Sequence, residues 1–189
     1  MTSDGGQNFE AAWSPDGQMI AYYSKTRGGV WVVPAQGGNA KQLTEFGSYP
    51  AWSPNGMFIA FQSSGISGDL GAIGSGALLT STIWTIPSQG GEAKQITQVG
   101  NPPGGHGNPS WSPDGRHIAF TTYDPEKSEV WSVSVTGDDL KKIASGVDSV
   151  YSPDGKYIYF VSFGRNSLDF GCQRFRFQQR MSLSASQCR

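Results

Sequence analysis

One five-residue phrase recurs through the chain and constrains the fold more than any other feature. It reads Trp13-Ser14-Pro15-Asp16-Gly17, then Trp52-Ser53-Pro54-Asn55-Gly56, then Trp111-Ser112-Pro113-Asp114-Gly115, and finally Tyr151-Ser152-Pro153-Asp154-Gly155. Self-similarity of this kind belongs to architectures in which one supersecondary unit is stacked many times. Pro presets φ for the first central position of a turn, Asp or Asn follows easily, and Gly accepts φ > 0. A type I turn closed by a left-handed Gly is a standard hairpin connection. Each Pro-Asp-Gly therefore predicts a strand reversal. Asn55 makes the same turn without a charge, so Asp16, Asp114 and Asp154 read as turn formers rather than catalytic carboxylates.

The residues behind each turn repeat as well. Ile20-Ala21-Tyr22, Ile59-Ala60-Phe61, Ile118-Ala119-Phe120 and Ile158-Tyr159-Phe160 place Ile and an aromatic on one face of a strand. A third segment recurs at Val30-Trp31-Val32-Val33-Pro34, Ile83-Trp84-Thr85-Ile86-Pro87 and Val130-Trp131-Ser132-Val133-Ser134. After turns at Gly37-Gly38, Gly90-Gly91 and Gly137-Asp138 a fourth follows, Lys41-Gln42-Leu43-Thr44, Lys94-Gln95-Ile96-Thr97 and Lys141-Lys142-Ile143-Ala144. All six tryptophans fall in two columns of this alignment, Trp13, Trp52 and Trp111 in one and Trp31, Trp84 and Trp131 in the other. Each unit predicts a four-stranded antiparallel meander of about 40 residues, the period of a β-propeller blade. The expected fold is all-β, an incomplete β-propeller of three full four-stranded blades plus part of a fourth.

The pattern W-S-P-D-G, I-A-F, I-W-x-x-P-x-x-G-G, K-Q-L-T resembles the TolB-type, WD-repeat-like β-propeller, over about residues 9 to 169. Similar blades occur in the tricorn and prolyl-oligopeptidase propellers and in sensor regions of bacterial membrane kinases. The resemblance implies a fold; such propellers serve many functions. It also implies a bacterial, periplasmic setting, although Met1-Thr2-Ser3-Asp4-Gly5-Gly6 shows no signal-peptide hydrophobic region.

Blades are expected at about 9–46, 50–97, 109–145 and 149–169, within a propeller region 1–169. Met1-Thr2 aligns with the end of a fourth strand, which reads as the remnant of a longer propeller and predicts self-association through open blade faces. After Phe170 the chain carries four arginines, no acids and both cysteines, Cys172 and Cys188. Residues 170–189 are thus expected to be a divergent cationic tail, either disordered or read out of frame.

Two stretches break the regularity: an insertion spanning 64–80 and a Pro/Gly-rich connector at 98–109. In a meander, the second-to-third connection and the exit to the next blade lie at the same ends of the strands. The insertion and the connector should therefore share one rim, opposite the uniform turns. Specific binding is expected there, with Asp69, Asn101, His106 and Asn108 as candidate contacts. His117 falls in a strand column with Met19, Phe58 and Tyr157 and reads as a strand position.

Composition narrows the classes. The chain has 189 residues with 14 Lys plus Arg against 15 Asp plus Glu, and no basic stripe that would suit nucleic acid. No apolar run approaches the roughly 18 residues needed to span a membrane. Two histidines without a Cys or carboxylate cluster at ligand spacing predict no metal site. No nucleophile elbow, P-loop or dinucleotide fingerprint is present, so neither catalysis nor a cofactor is expected from these residues. The leading expectation is a non-catalytic module binding a protein, peptide or small ligand on its loop rim. The alternatives are a propeller belonging to a serine peptidase of the prolyl-oligopeptidase or tricorn type, and the sensor propeller of a membrane kinase.

Overall fold

The computed structural model describes residues 6–64, 80–124, 127–163 and 168–174, with side chains through residue 162. They form four antiparallel meanders. The first contains β1 (Asn8–Trp13), β2 (Met19–Ser24), β3 (Val30–Pro34) and β4 (Lys41–Gln42). The second contains β5 (Ser48–Trp52), β6 (Phe58–Gln62), β7 (Ile83–Pro87) and β8 (Lys94–Gln95). The third contains β9 (Gly105–Trp111), β10 (His117–Tyr123), β11 (Glu129–Ser134) and β12 (Lys141–Ser145). The fourth contains β13 (Val147–Tyr151), β14 (Tyr157–Phe163) and β15 (Leu168–Arg174). This is three full propeller blades and part of a fourth, as the repeats predict.

The Ser-Pro-Asp-Gly turn is a closed hydrogen-bond unit, built identically four times. In the first copy Gly17 N donates to Ser14 O at 2.9 Å, and Gly17 sits at φ 70°. The Asp16 carboxylate accepts from Ser14 Oγ at 2.6 Å and Gln18 N at 3.0 Å. Ser14 Oγ in turn accepts from Met19 N at 2.8 Å, locking the next strand onto the turn. Asn55 Oδ1 performs the same two acceptances, from Ser53 Oγ at 2.8 Å and Met57 N at 3.0 Å. The carboxylates are turn formers. The hydroxyl beside Asp16 and Asp154 holds both below the usual carboxylate range, with the following backbone amide adding to it.

The Lys-Gln-Leu-Thr segments also have a physical reason. The fourth strand of the first two blades lasts two residues, after which the chain folds over the start of the third. Val30 N donates to Thr44 Oγ1 at 3.1 Å and Ile83 N to Thr97 Oγ1 at 2.8 Å. The third blade carries Ala144 in that column, and there β12 runs on to Ser145 by backbone pairing instead.

Blades pack face to face through one repeated joint. Ile59, Phe61 and Ile86 of the second blade bury against Ala21, Val30 and Val32 of the first. Ile118, Phe120 and Val133 of the third pack on Ala60 and Ile83 of the second. Tyr151 and Ile158 meet Ala119 and Val130 in the last joint. Ala21, Ala60 and Ala119 are fully buried, because the small side chain lets the following sheet approach. At the inner end of the first two joints an indole reaches back. Trp52 Nε1 donates to Ala12 O and Trp111 Nε1 to Ala51 O, both at 3.0 Å. Trp13, with no described blade before it, is 62 % exposed, and Tyr159, in the alanine column of the last sheet, is 46 % exposed.

In the fourth blade the structure adds to the sequence reading. No Trp landmark marks a third strand there, yet β15 pairs with β14 in unbroken register from Tyr157–Arg174 to Phe163–Leu168. Backbone pairing needs no landmark, and the strand crosses the boundary expected at 169–170. Asp69, the insertion from 65 to 79 and the tail beyond 174 lie outside the described residues. Among the described residues no helix is long and apolar enough to cross a membrane.

Candidate functional site

The site is built by the four innermost strands, β1, β5, β9 and β13, which touch one another in series. Each carries a register shift against its neighbour in its own sheet, between Phe9 and Ala12, Ser48 and Ala51, and Val147 and Val150, and in β9 opposite Ala119 and Thr121. At each bulge one non-glycine residue adopts the left-handed conformation: Glu10 (φ 57°), Tyr49 (φ 53°), Asn108 (φ 50°) and Asp148 (φ 56°). The four occupy one column, three residues before the inner Trp or Tyr. Non-glycine residues seldom adopt this geometry, and where they do the surrounding structure must hold them there.

Three of them, Tyr49, Asn108 and Asp148, are held by the preceding blade. The bulge turns a backbone N–H sideways, and a side chain across the joint takes it. Tyr49 N donates to Glu10 Oε2 at 2.6 Å, Asn108 N to Gln62 Oε1 at 3.1 Å, and Asp148 N to Thr121 Oγ1 at 3.0 Å. Gln62 and Thr121 are both fully buried. They occupy one column of the second strand. The first blade has Tyr23 in that column, and Glu10 supplies the acceptor from the inner strand instead. Gln62 Nε2 also donates to Ser64 O at 2.8 Å, tying the stem of the insertion to the same point.

Together the four strands line a cavity of about 830 Å³ along the propeller axis. One end holds the bulge residues Glu10, Tyr49, Asn108 and Asp148; the other is walled by Trp52, Trp111, Tyr151 and the turn prolines Pro54, Pro113 and Pro153. The bulge end is acidic, and no Lys, Arg or His lines the cavity among the described residues. Burial raises the Glu10 carboxyl from the ordinary range to about 7, against the pull of the Tyr49 amide. Burial, then Glu10, then Asp148 push the Tyr49 phenol up. The Tyr123 phenol is raised by burial and by the same two carboxylates. Asn108 Nδ2 donates to Asp148 Oδ1 across the third joint. Asn108 Oδ1 and the hydroxyl of Ser149, which is 6 % exposed, are buried without a hydrogen-bond partner. Among the described residues no group of three His, Cys, Asp or Glu could hold a metal.

The structure separates the residues singled out from sequence. Asn108 lies in the cavity. His106 does not: it is fully buried, with its Nε2 2.8 Å from Pro102 O and its Nδ1 2.8 Å from Thr97 Oγ1. Thr97 already accepts the Ile83 amide, so its hydroxyl donates to Nδ1, and Nε2–H donates to the carbonyl. Burial lowers the ring's pKa and keeps it neutral. The ring fastens the connector to the outer strand and packs 5.1 Å from Phe120. Asn101 is exposed on the connector, bridged to Gln98. His117 is nearly buried in β10 with Nε2 3.7 Å from Asp139. The stem of the insertion and the connector do meet, His106 N donating to Ser81 O at 2.8 Å. Glu10, Tyr49 and Asp148 were not foreseen. Their column holds Glu, Tyr, Asn and Asp, and only its fixed offset from the aromatic landmark marks it.

No family model matches the chain. The Tol-Pal system protein TolB of Syntrophus aciditrophicus is 39 % identical over 54 residues, 29 % of this chain and 12 % of that protein. An uncharacterised protein of Agrobacterium fabrum is 28 % identical over 166 residues, 82 % of this chain and 51 % of its own length. The crystal structure of TolB from Acinetobacter baumannii superposes with a TM-score of 0.70 at 21 % identity, over 89 % of this chain and 41 % of that one. An oligogalacturonate lyase from Vibrio parahaemolyticus superposes with a TM-score of 0.69 at 15 % identity, over 91 % of this chain and 50 % of that one. The chain thus spans about half or less of the length of these proteins, and it shares the β-propeller fold with TolB.

Proposed function

We propose that this TolB-type propeller is a non-catalytic binding module, and that its ligand site is the bulge end of the axial cavity. The observation that carries the reading is the left-handed column. Four successive blades spend backbone strain to project Glu10, Tyr49, Asn108 and Asp148 into one cavity, and strained non-glycine residues concentrate where a protein holds ligands. The cavity volume, about 830 Å³, lies within the range of ligand clefts. Its walls come from strands, and the stem of the insertion at Ser64 and Ser81 meets the connector beside the bulge end, which suits a protein or peptide segment reaching in from a partner.

The residues support binding better than chemistry. The described serines of the cavity have no imidazole beside them, since His106 is spent on Thr97 and Pro102 and His117 lies beside Asp139. The likeness to a lyase is a likeness of fold, which does not carry an activity with it.

The test uses a substitution that fills the cavity from an exposed position. Ala11 lines the cavity and is exposed, so Ala11→Trp occupies the mouth without entering the core. A random peptide display library panned against the full chain and against this variant should yield sequences that bind the first only. Equal enrichment on both would overturn the proposal.

A further inference from the structure

We propose that the bulge end of the cavity receives a guanidinium group, the side chain of an arginine on a partner polypeptide. The inference rests on the channel reading above and names the chemistry of what enters it.

Asn108 Oδ1, Asp148 and ionised Glu10 take hydrogen bonds at this end, and the Ser149 hydroxyl can take one as well as give one. Glu10 and Asp148 are carboxylates on opposite sides of the described arc, and both act on the same two phenols, Tyr49 and Tyr123. The Asn108 amide gives one of its N–H groups to Asp148, while Asn108 Oδ1 has no donor. Ser149 is buried and unpartnered in a column that holds Ala11, Pro50 and Pro109 in the other blades. Orphaned buried polar atoms are uncommon, and each asks for a partner. No cation among the described residues lines the cavity to meet them.

A ligand that satisfies this set must be positively charged, must offer several donors in different directions, and must shed its water readily. A guanidinium is planar, presents five N–H donors in a rigid fork and is more weakly hydrated than an ammonium. Its faces suit aromatic rings, and the Tyr49 ring lines this end of the cavity. An ammonium supplies the charge but only three donors at a point. A multivalent metal would need a ligand cluster that the described residues do not provide.

The experiment compares two blocked tripeptides, N-acetyl-Gly-Arg-Gly-amide and the same peptide with citrulline, an uncharged near-isostere, titrated into the full chain and followed by backbone amide NMR. The arginine peptide should give saturable shifts at the Tyr49, Asn108 and Asp148 amides, and the citrulline peptide should bind at least about tenfold more weakly, since a hydrogen bond to a charged group contributes about 1.5–3 kcal/mol. Glu10→Gln and Asp148→Asn should each weaken the arginine peptide by a similar factor; Glu10→Gln retains an acceptor for the Tyr49 amide. Equal binding of the two peptides, binding untouched by both substitutions, or no saturable shift with arginine would overturn the guanidinium. The binding-module reading is tested separately: library peptides lacking arginine that bind the chain but not Ala11→Trp would uphold it while this inference falls.

Discussion

The two ends of the inner strands are built by opposite rules. At the turn end, one sequence gives one structure four times: Ser14, Ser53, Ser112 and Ser152 donate to the Asp or Asn two residues on. Every hydrogen bond of the turn itself is local, so the turn closes without a neighbouring blade. At the bulge end the backbone repeats while the residues do not, and the amides of Tyr49, Asn108 and Asp148 are satisfied by the preceding blade. The first end is self-sufficient and conserved within the chain. The second depends on tertiary assembly, which leaves its side chains free to differ and hence to carry specificity.

Glycine substitutions should separate the two ends most strongly. A Cβ on Gly47, which precedes the bulge at φ 89°, would press on the Phe61 ring and sit 2.8 Å from the Gln62 carbonyl. Gly47→Ala is expected to destabilise by roughly 2–4 kcal/mol in urea unfolding. Gly17 at the turn end has φ 70° and nothing within 4 Å of an added Cβ. Gly17→Ala should therefore cost only the backbone term, about 1 kcal/mol. Similar losses at both positions would break the comparison.

Removing one acceptor across a joint comes next. Thr121→Val keeps the shape of a fully buried side chain and strands the Asp148 amide. A loss of about 1–3 kcal/mol is expected, with faster hydrogen exchange at Asp148. Unchanged exchange would show that the bulge stands without its neighbour.

The two ends should also respond to pH with opposite signs. Asp16 and Asp154 titrate below their ordinary value in the folded chain. Their contribution is present above about pH 4 and is lost as pH falls through the lowered folded values. Glu10 is raised from 4.5 to about 7, so the folded chain holds its proton more tightly than the unfolded chain does. Its contribution is present below about pH 4.5 and is lost as pH rises through about 7. The titratable groups that feel its charge are Tyr23 of β2, Tyr49 of β5 and Tyr123 of β10; these phenols stay neutral over this window. Thermal melts should show midpoints falling between about pH 5 and pH 8, with Glu10→Gln flattening that fall and leaving the acid limb intact. A fall of equal size in the variant would remove Glu10 from the explanation.

The smallest effect is expected from Asp114→Asn. Asn55 already accepts the same two hydrogen bonds in the second blade, so the change should stay within about 0.5 kcal/mol.

These contrasts explain what could be read from the chain alone. Proline, glycine and tryptophan at fixed offsets report local requirements, and they placed fourteen of the strands by position. β15 lacks them, and its pairing with β14 is a long-range contact that no residue type announces. Of the residues that line the cavity, Asn108 was legible because it sits in an irregular connector. His106 was picked out for the same reason, although its surroundings make it a fastener. Glu10, Tyr49 and Asp148 share a φ angle and no side-chain chemistry, and alignment by residue type passes over a column of that sort.

The indole joint has a consequence for how such a chain could have grown. Trp52 and Trp111 each hand one N–H to the sheet before, at Ala12 and Ala51; the second sheet therefore carries both the plug for its predecessor and the socket for its successor. Copying one sheet in tandem reproduces a finished coupling at either side. Lengthening or shortening the array by a whole sheet requires no compensating change elsewhere, and selection can then act on the axial column one sheet at a time.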